Sequence, residues 1–109
     1  MSLDITFKEV MPVICPHCGE VVTTRTVDEE ESSGRGWYEF LESIGYYTPP
    51  DKPQPEHDWY GKDMTLTGEQ TDAAYQFART HPLYNGDEVA ILIAEARMAG
   101  HDVAVNADW

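Results

Sequence analysis

Lysine and arginine are scarce in this chain: seven against twenty aspartates and glutamates, for a formal charge of −13 over 109 residues. So acidic a surface repels polyanions, and direct binding to a nucleic-acid backbone is not expected. No apolar run approaches the roughly 20 residues of a membrane span, and the first residues lack the basic stretch and apolar core of a secretory signal. The expected compartment is the cytoplasm. An H-E-x-x-H pattern, a phosphate-cradling glycine loop and a nucleophile with an evident base are all missing, which argues against hydrolysis and for a non-enzyme. Cysteine occurs only at Cys15 and Cys18. In a reducing compartment, C-x-x-C spacing reads as a metal or redox pair before it reads as a structural disulfide.

The residues that are present point to an ordered core. Apolar residues make up 41%, and three Trp, six Tyr and three Phe supply large side chains to bury. A chain of this length has room for one domain, which can fold without disulfides. Leu3, Ile5 and Phe7 alternate with Asp4, Thr6 and Lys8, the period of a strand with one buried face. Met11 to Ile14 carries apolar chain into the cysteines, and Glu20 to Val27 is rich in Val and Thr, so the cysteines sit at a hairpin tip or between short strands. The four acids Asp28 to Glu31, followed by Ser32, Ser33 and Gly34, read as a solvated loop.

Trp37, Phe40, Leu41 and Ile44 share one face of a short helix that starts after Ser33 and stops at Gly45. Four prolines between Pro49 and Pro55, set among Tyr46, Tyr47, Trp59 and Tyr60, exclude regular helix and predict an extended connection. Thr67 and Gln70 form a capping box for a second helix ending near His81-Pro82. Asn85 and Glu88 repeat that pattern, with Tyr84 expected to staple against Val89, and a third helix runs to Gly100. Val103, Val105 and Ala107 then predict a last strand beside the first. The expected architecture is one α+β domain: a small antiparallel sheet of N- and C-terminal strands, packed against about three helices.

Cys15-Pro16-His17-Cys18-Gly19 is the sequence of a zinc knuckle, in which proline and glycine let the chain turn so that both sulfurs face one ion. A tetrahedral zinc needs two further ligands. His57, His101 or an acidic side chain are the candidates within the chain, and a second copy in a homodimer is the alternative. His17 lies between the cysteines and reaches the same ion poorly, while His81 reads as a helix-end residue. A surface turn without metal stays open beside the zinc reading. If zinc is held, chelation and paired serine substitution are both expected to lower thermal stability. C-P-H-C also matches the active site of oxidising thioredoxin-like proteins, but those need a helix starting at the first cysteine, and Gly19 to Thr24 reads as turn and strand.

In order, these pieces resemble short uncharacterised proteins of bacterial phages and prophages, which open with a strand pair carrying a C-P-x-C-G turn. The likeness covers residues 3–47 and 75–107, through phrases such as Gly45-Tyr46, His81-Pro82-Leu83-Tyr84-Asn85-Gly86 and Asp102-Val103-Ala104-Val105. The chain departs from them at Ser32-Ser33-Gly34-Arg35-Gly36, where they carry a His-Asn pair. The resemblance implies a phage-derived accessory role in the cytoplasm of a bacterial host, a protein partner and no catalytic residues. Three functional expectations follow: a non-enzymatic interaction module with a structural zinc knuckle, an acidic inhibitor or nucleic-acid mimic docking on a basic protein groove, and a thiol oxidoreductase using Cys15 and Cys18.

Overall fold

Alternation at both ends of the chain builds one sheet. A computed structural model describes residues 3–56 and 58–109. Strand β1 (Asp4–Ile14) pairs antiparallel with β2 (Val21–Ser33) on one side and with β4 (Asp102–Asp108) on the other, and the two-residue β3 (Met64–Thr65) adds to β4. The order is β2-β1-β4-β3, every pairing antiparallel. Leu3, Ile5 and Phe7 line the inner face, with Ile5 opposite Ala107 and Phe7 opposite Val105. This is the expected α+β arrangement.

Of the helices α1 (Trp37–Ser43), α2 (Gly68–Thr80) and α3 (Gly86–Ala99), α3 packs across that face, α1 sets Trp37 and Phe40 against Phe7, and α2 packs on α3. Helix α3 buries Val89, Leu92, Ile93 and Ala96; each of the larger three contributes about 1.5–3 kcal/mol on leaving water. Trp37 is fully buried, its ring 5.0 Å from Phe7 and 5.4 Å from Phe77. Its indole N–H donates to the Ser32 hydroxyl at 2.8 Å, and Ser32 donates in turn to the Tyr84 carbonyl, so the inner polar groups of this corner are paired. The Thr67–Gln70 capping box forms reciprocally, at 3.2 and 3.0 Å, and α2 stops at Thr80 before His81-Pro82. Gly45 and Gly100 end α1 and α3 in the left-handed region.

Three local expectations are overturned. Asp28 to Glu31 are part of β2, not a loop, because β1 supplies ladder partners: Glu9 for Asp28, Lys8 for Glu29 and Phe7 for Glu30. Asn85 does not close a capping box with Glu88. It adopts φ 58° and sends its amide across to Glu30 Oε2 at 3.1 Å and the Glu31 carbonyl at 2.8 Å, tying the start of α3 to β2. Tyr84 makes no staple with Val89, since its side chain is exposed while Val89 is buried.

Candidate metal centre at the hairpin tip

Strands β1 and β2 run far beyond the sheet that β4 completes. The β4 ladder ends where Val10 meets Asp102, yet β1 and β2 continue pairing as far as Ile14 and Val21. From Pro12 to Glu29 almost every residue is exposed, so the distal hairpin is an arm projecting from the body. Two irregularities in β2, at Val27 and Val22, shift the register and twist the arm.

The cysteine turn caps this arm. Cys15 N–H donates to the Glu20 carbonyl at 2.8 Å and Gly19 N–H to the Cys15 carbonyl at 2.9 Å, closing the tip. Gly19 takes φ 74°, a conformation open to glycine at no steric penalty. The thiol of Cys18 and the backbone N–H groups of Cys18 and His17 hydrogen-bond to the Cys15 sulfur, and together they hold its pKa below the ordinary thiol range against a weaker opposing effect of burial. Two free thiols at C-x-x-C spacing on one closed turn are the donor set of half a zinc knuckle. The residues present therefore fit zinc as two of its four ligands.

Around this turn the arm is apolar. Val13, Ile14, Val21 and Val22 occupy the last rungs below the cysteines and are 37%, 48%, 59% and 63% exposed. They form a collar of aliphatic side chains in water beneath two thiols. Sequence patterning gave no sign of this, because β-branched residues in a strand look alike whether their faces are buried or free.

The other proposed ligands are placed elsewhere. His101 follows α3, and its Nδ1 lies 2.6 Å from Glu9 Oε2 at the root of the arm. Glu9 precedes Cys15 by six residues of strand, about 20 Å at the usual rise. His101 is therefore not brought to the cysteines. His81 stacks on Phe77, with ring centroids 3.7 Å apart, and His17 is exposed within the turn itself. His57 lies outside the described residues. Among the described residues, no three His, Cys, Asp or Glu side chains are grouped to share a metal ion. β2, rather than a helix, follows the cysteine pair.

At the opposite end, the proline-rich connection folds its aromatics into a cluster around Trp109, which meets Tyr46, Tyr47 and Tyr60 edge-on at 6.1, 5.1 and 4.8 Å. With Pro50 and Trp59 these rings line an open cleft of about 620 Å³. No helix among the described residues is long and apolar enough to cross a membrane. No family model, no curated protein and no solved structure matches this chain.

Proposed function

We propose that the chain is a non-enzymatic interaction module, an accessory protein of phage or prophage type in the cytoplasm of a bacterial host, and that it makes contact through its hairpin arm. Cys15 and Cys18 act as a structural zinc knuckle that fixes the arm's tip. The observation that carries this reading is the exposed collar of Val13, Ile14, Val21 and Val22 beneath the cysteine turn. Aliphatic side chains gathered on a projecting hairpin gain from being covered, whereas scattered surface apolar residues need no partner.

The test compares wild-type protein with a variant carrying Val13→Ser, Ile14→Ser, Val21→Ser and Val22→Ser, each cross-linked to its neighbours in host lysate at high salt. Apolar contact survives salt. The expected result is a neighbour captured by the wild type and lost by the variant; equal capture by both removes the arm from the function.

A second reading draws on β2, where Asp28, Glu29 and Glu31 are exposed along the outer strand of the sheet. That strip suits an inhibitor or nucleic-acid mimic docking on a basic groove. Such binding weakens steeply as salt rises and is indifferent to the arm substitutions. The same experiment run at low and high salt separates the two.

A further inference from the structure

We infer that the partner of the arm is a second copy of this chain, joined tip to tip by one zinc ion held by Cys15 and Cys18 of both copies. The inference rests on the reading of the cysteine turn as a zinc knuckle and adds to it the source of the missing ligands.

The ligand count comes first. The turn, closed by the backbone bonds from Cys15 to Glu20 and from Gly19 to Cys15, presents both thiols at one tip, yet it supplies two donors where zinc takes four. Among the described residues no third His, Cys, Asp or Glu side chain is grouped with the two cysteines: His101 is held by Glu9 about 20 Å down the arm, and His81 is stacked on Phe77. A second identical turn supplies two more thiolates and closes a four-sulfur site, the commonest closed form of structural zinc together with its histidine-containing variants.

Charge then selects the geometry. Two molecules of formal charge −13 repel each other across most orientations. The distal arm is an exception: residues 10–27 carry one acid, Glu20, and one base, Arg25, for a formal charge of zero. The acidic run of β2 starts at Asp28, opposite Glu9 and so about 20 Å from the tip. Tip-to-tip contact keeps the two acidic runs on the order of 40 Å apart, about five screening lengths at physiological salt. The arms thus act as spacers that let two acidic bodies join.

The collar completes the argument. Val13, Ile14, Val21 and Val22 ring the base of the turn on both strands, where a facing tip covers them. Pairing through the outer edge of β2, on the tip side of the Ser33–Tyr84 bridge and the Asn85 bond to Glu31, is the competing route to a dimer. An antiparallel pair centred on the outer strand sends the two tips to opposite ends, shares no metal and does not depend on the cysteines.

Native mass spectrometry of the reduced full chain titrated with Zn²⁺ decides between them. The expected species is a dimer with one zinc, returned to monomer by a chelator and absent in the Cys15→Ser/Cys18→Ser variant, whose fold is checked by circular dichroism. Cobalt in place of zinc should give the visible spectrum of a four-thiolate site. Ile14→Asp with Val22→Asp keeps all four sulfurs but should weaken the zinc-dependent dimer by about tenfold or more. One zinc per monomer overturns the shared site while leaving the knuckle in place, and loss of that zinc in His57→Ala would identify the ligand instead. A dimer that persists in the double serine variant overturns it in favour of edge pairing. A chain that takes up no zinc overturns both the shared site and the knuckle.

Discussion

Glu9 Oε2 lies 2.6 Å from Nδ1 of His101 at the rung where the sheet ends and the arm begins. Glu9 continues the inward series of Leu3, Ile5 and Phe7, so a carboxylate stands where the pattern calls for an apolar side chain, and it is nearly as buried as its neighbours. A buried acid needs a donor. His101, placed there by the turn at Gly100 that ends α3, provides it. His101→Ala leaves the carboxylate without that partner and should destabilise the fold by about 1–3 kcal/mol. Glu9→Gln removes the charge while keeping an acceptor, so urea unfolding should show a smaller loss. Equal losses would mean that packing, rather than the contact, is what matters at this rung.

Tyr46 joins the connection to the sheet. Its hydroxyl accepts from Ala107 N–H at 2.8 Å and donates to the Lys62 carbonyl at 2.7 Å. Burial raises its pKa above the ordinary phenol value, the bond accepted from Ala107 N–H opposes that shift, and the charges of Asp63 and Asp108 add to it. The folded state therefore prefers the neutral phenol more strongly than the unfolded chain does. That stability is complete below the unfolded pKa of about 10 and is lost as pH rises through the higher folded value. Wild-type protein should lose melting temperature above about pH 10. Tyr46→Phe should cost about 1–3 kcal/mol at neutral pH by orphaning Ala107 N–H, and its alkaline decline should be shallower.

Where α2 meets α3 the chains are too close for a side chain. A Cβ on Gly86 would stand 2.8 Å from the Ala78 carbonyl oxygen, a contact that neither backbone can relieve by rotating a side chain. Gly86→Ala gains helix propensity at the first residue of α3 but should still destabilise the protein by about 1–3 kcal/mol, because the two helices must separate. A thermal melt at or above the wild-type value would show that the helix pair has slack.

The parts of the fold that depend on neighbours in sequence were legible without the structure. Leu3-Ile5-Phe7 and Val103-Val105-Ala107 predicted two half-buried strands, and Thr67 with Gln70 predicted the start of α2, because period and capping are local properties. Asp28 to Glu31 misled, since their strand conformation is imposed by β1, which the acids' own propensities do not reveal. Asn85 misled for a related reason: its amide had a tertiary partner in Glu30 that outcompeted the local cap. Of the site, the turn at Cys15 to Gly19 and its place between β-branched segments were readable. The distance of His101 from that turn and the exposure of the collar were not, because both follow from how far β1 and β2 outrun β4.

The same projection decides what zinc does to stability. The sequence predicts that removing the metal lowers the global melt, as in small domains whose core is the metal site. Here Cys15 and Cys18 stand at the end of an exposed arm, and the core residues Phe7, Trp37 and Ile93 belong to the body. Local opening of the arm and global unfolding are then separate events, with the arm at the low end of the stability scale. Zinc should slow hydrogen exchange at the amides of residues 12–23 severalfold or more while leaving those of α3 unchanged. The metal-free wild type and the Cys15→Ser/Cys18→Ser variant should share one melting temperature. If chelation instead accelerates exchange throughout α3, the arm and body unfold as one unit, and the knuckle stabilises the whole fold rather than the tip alone.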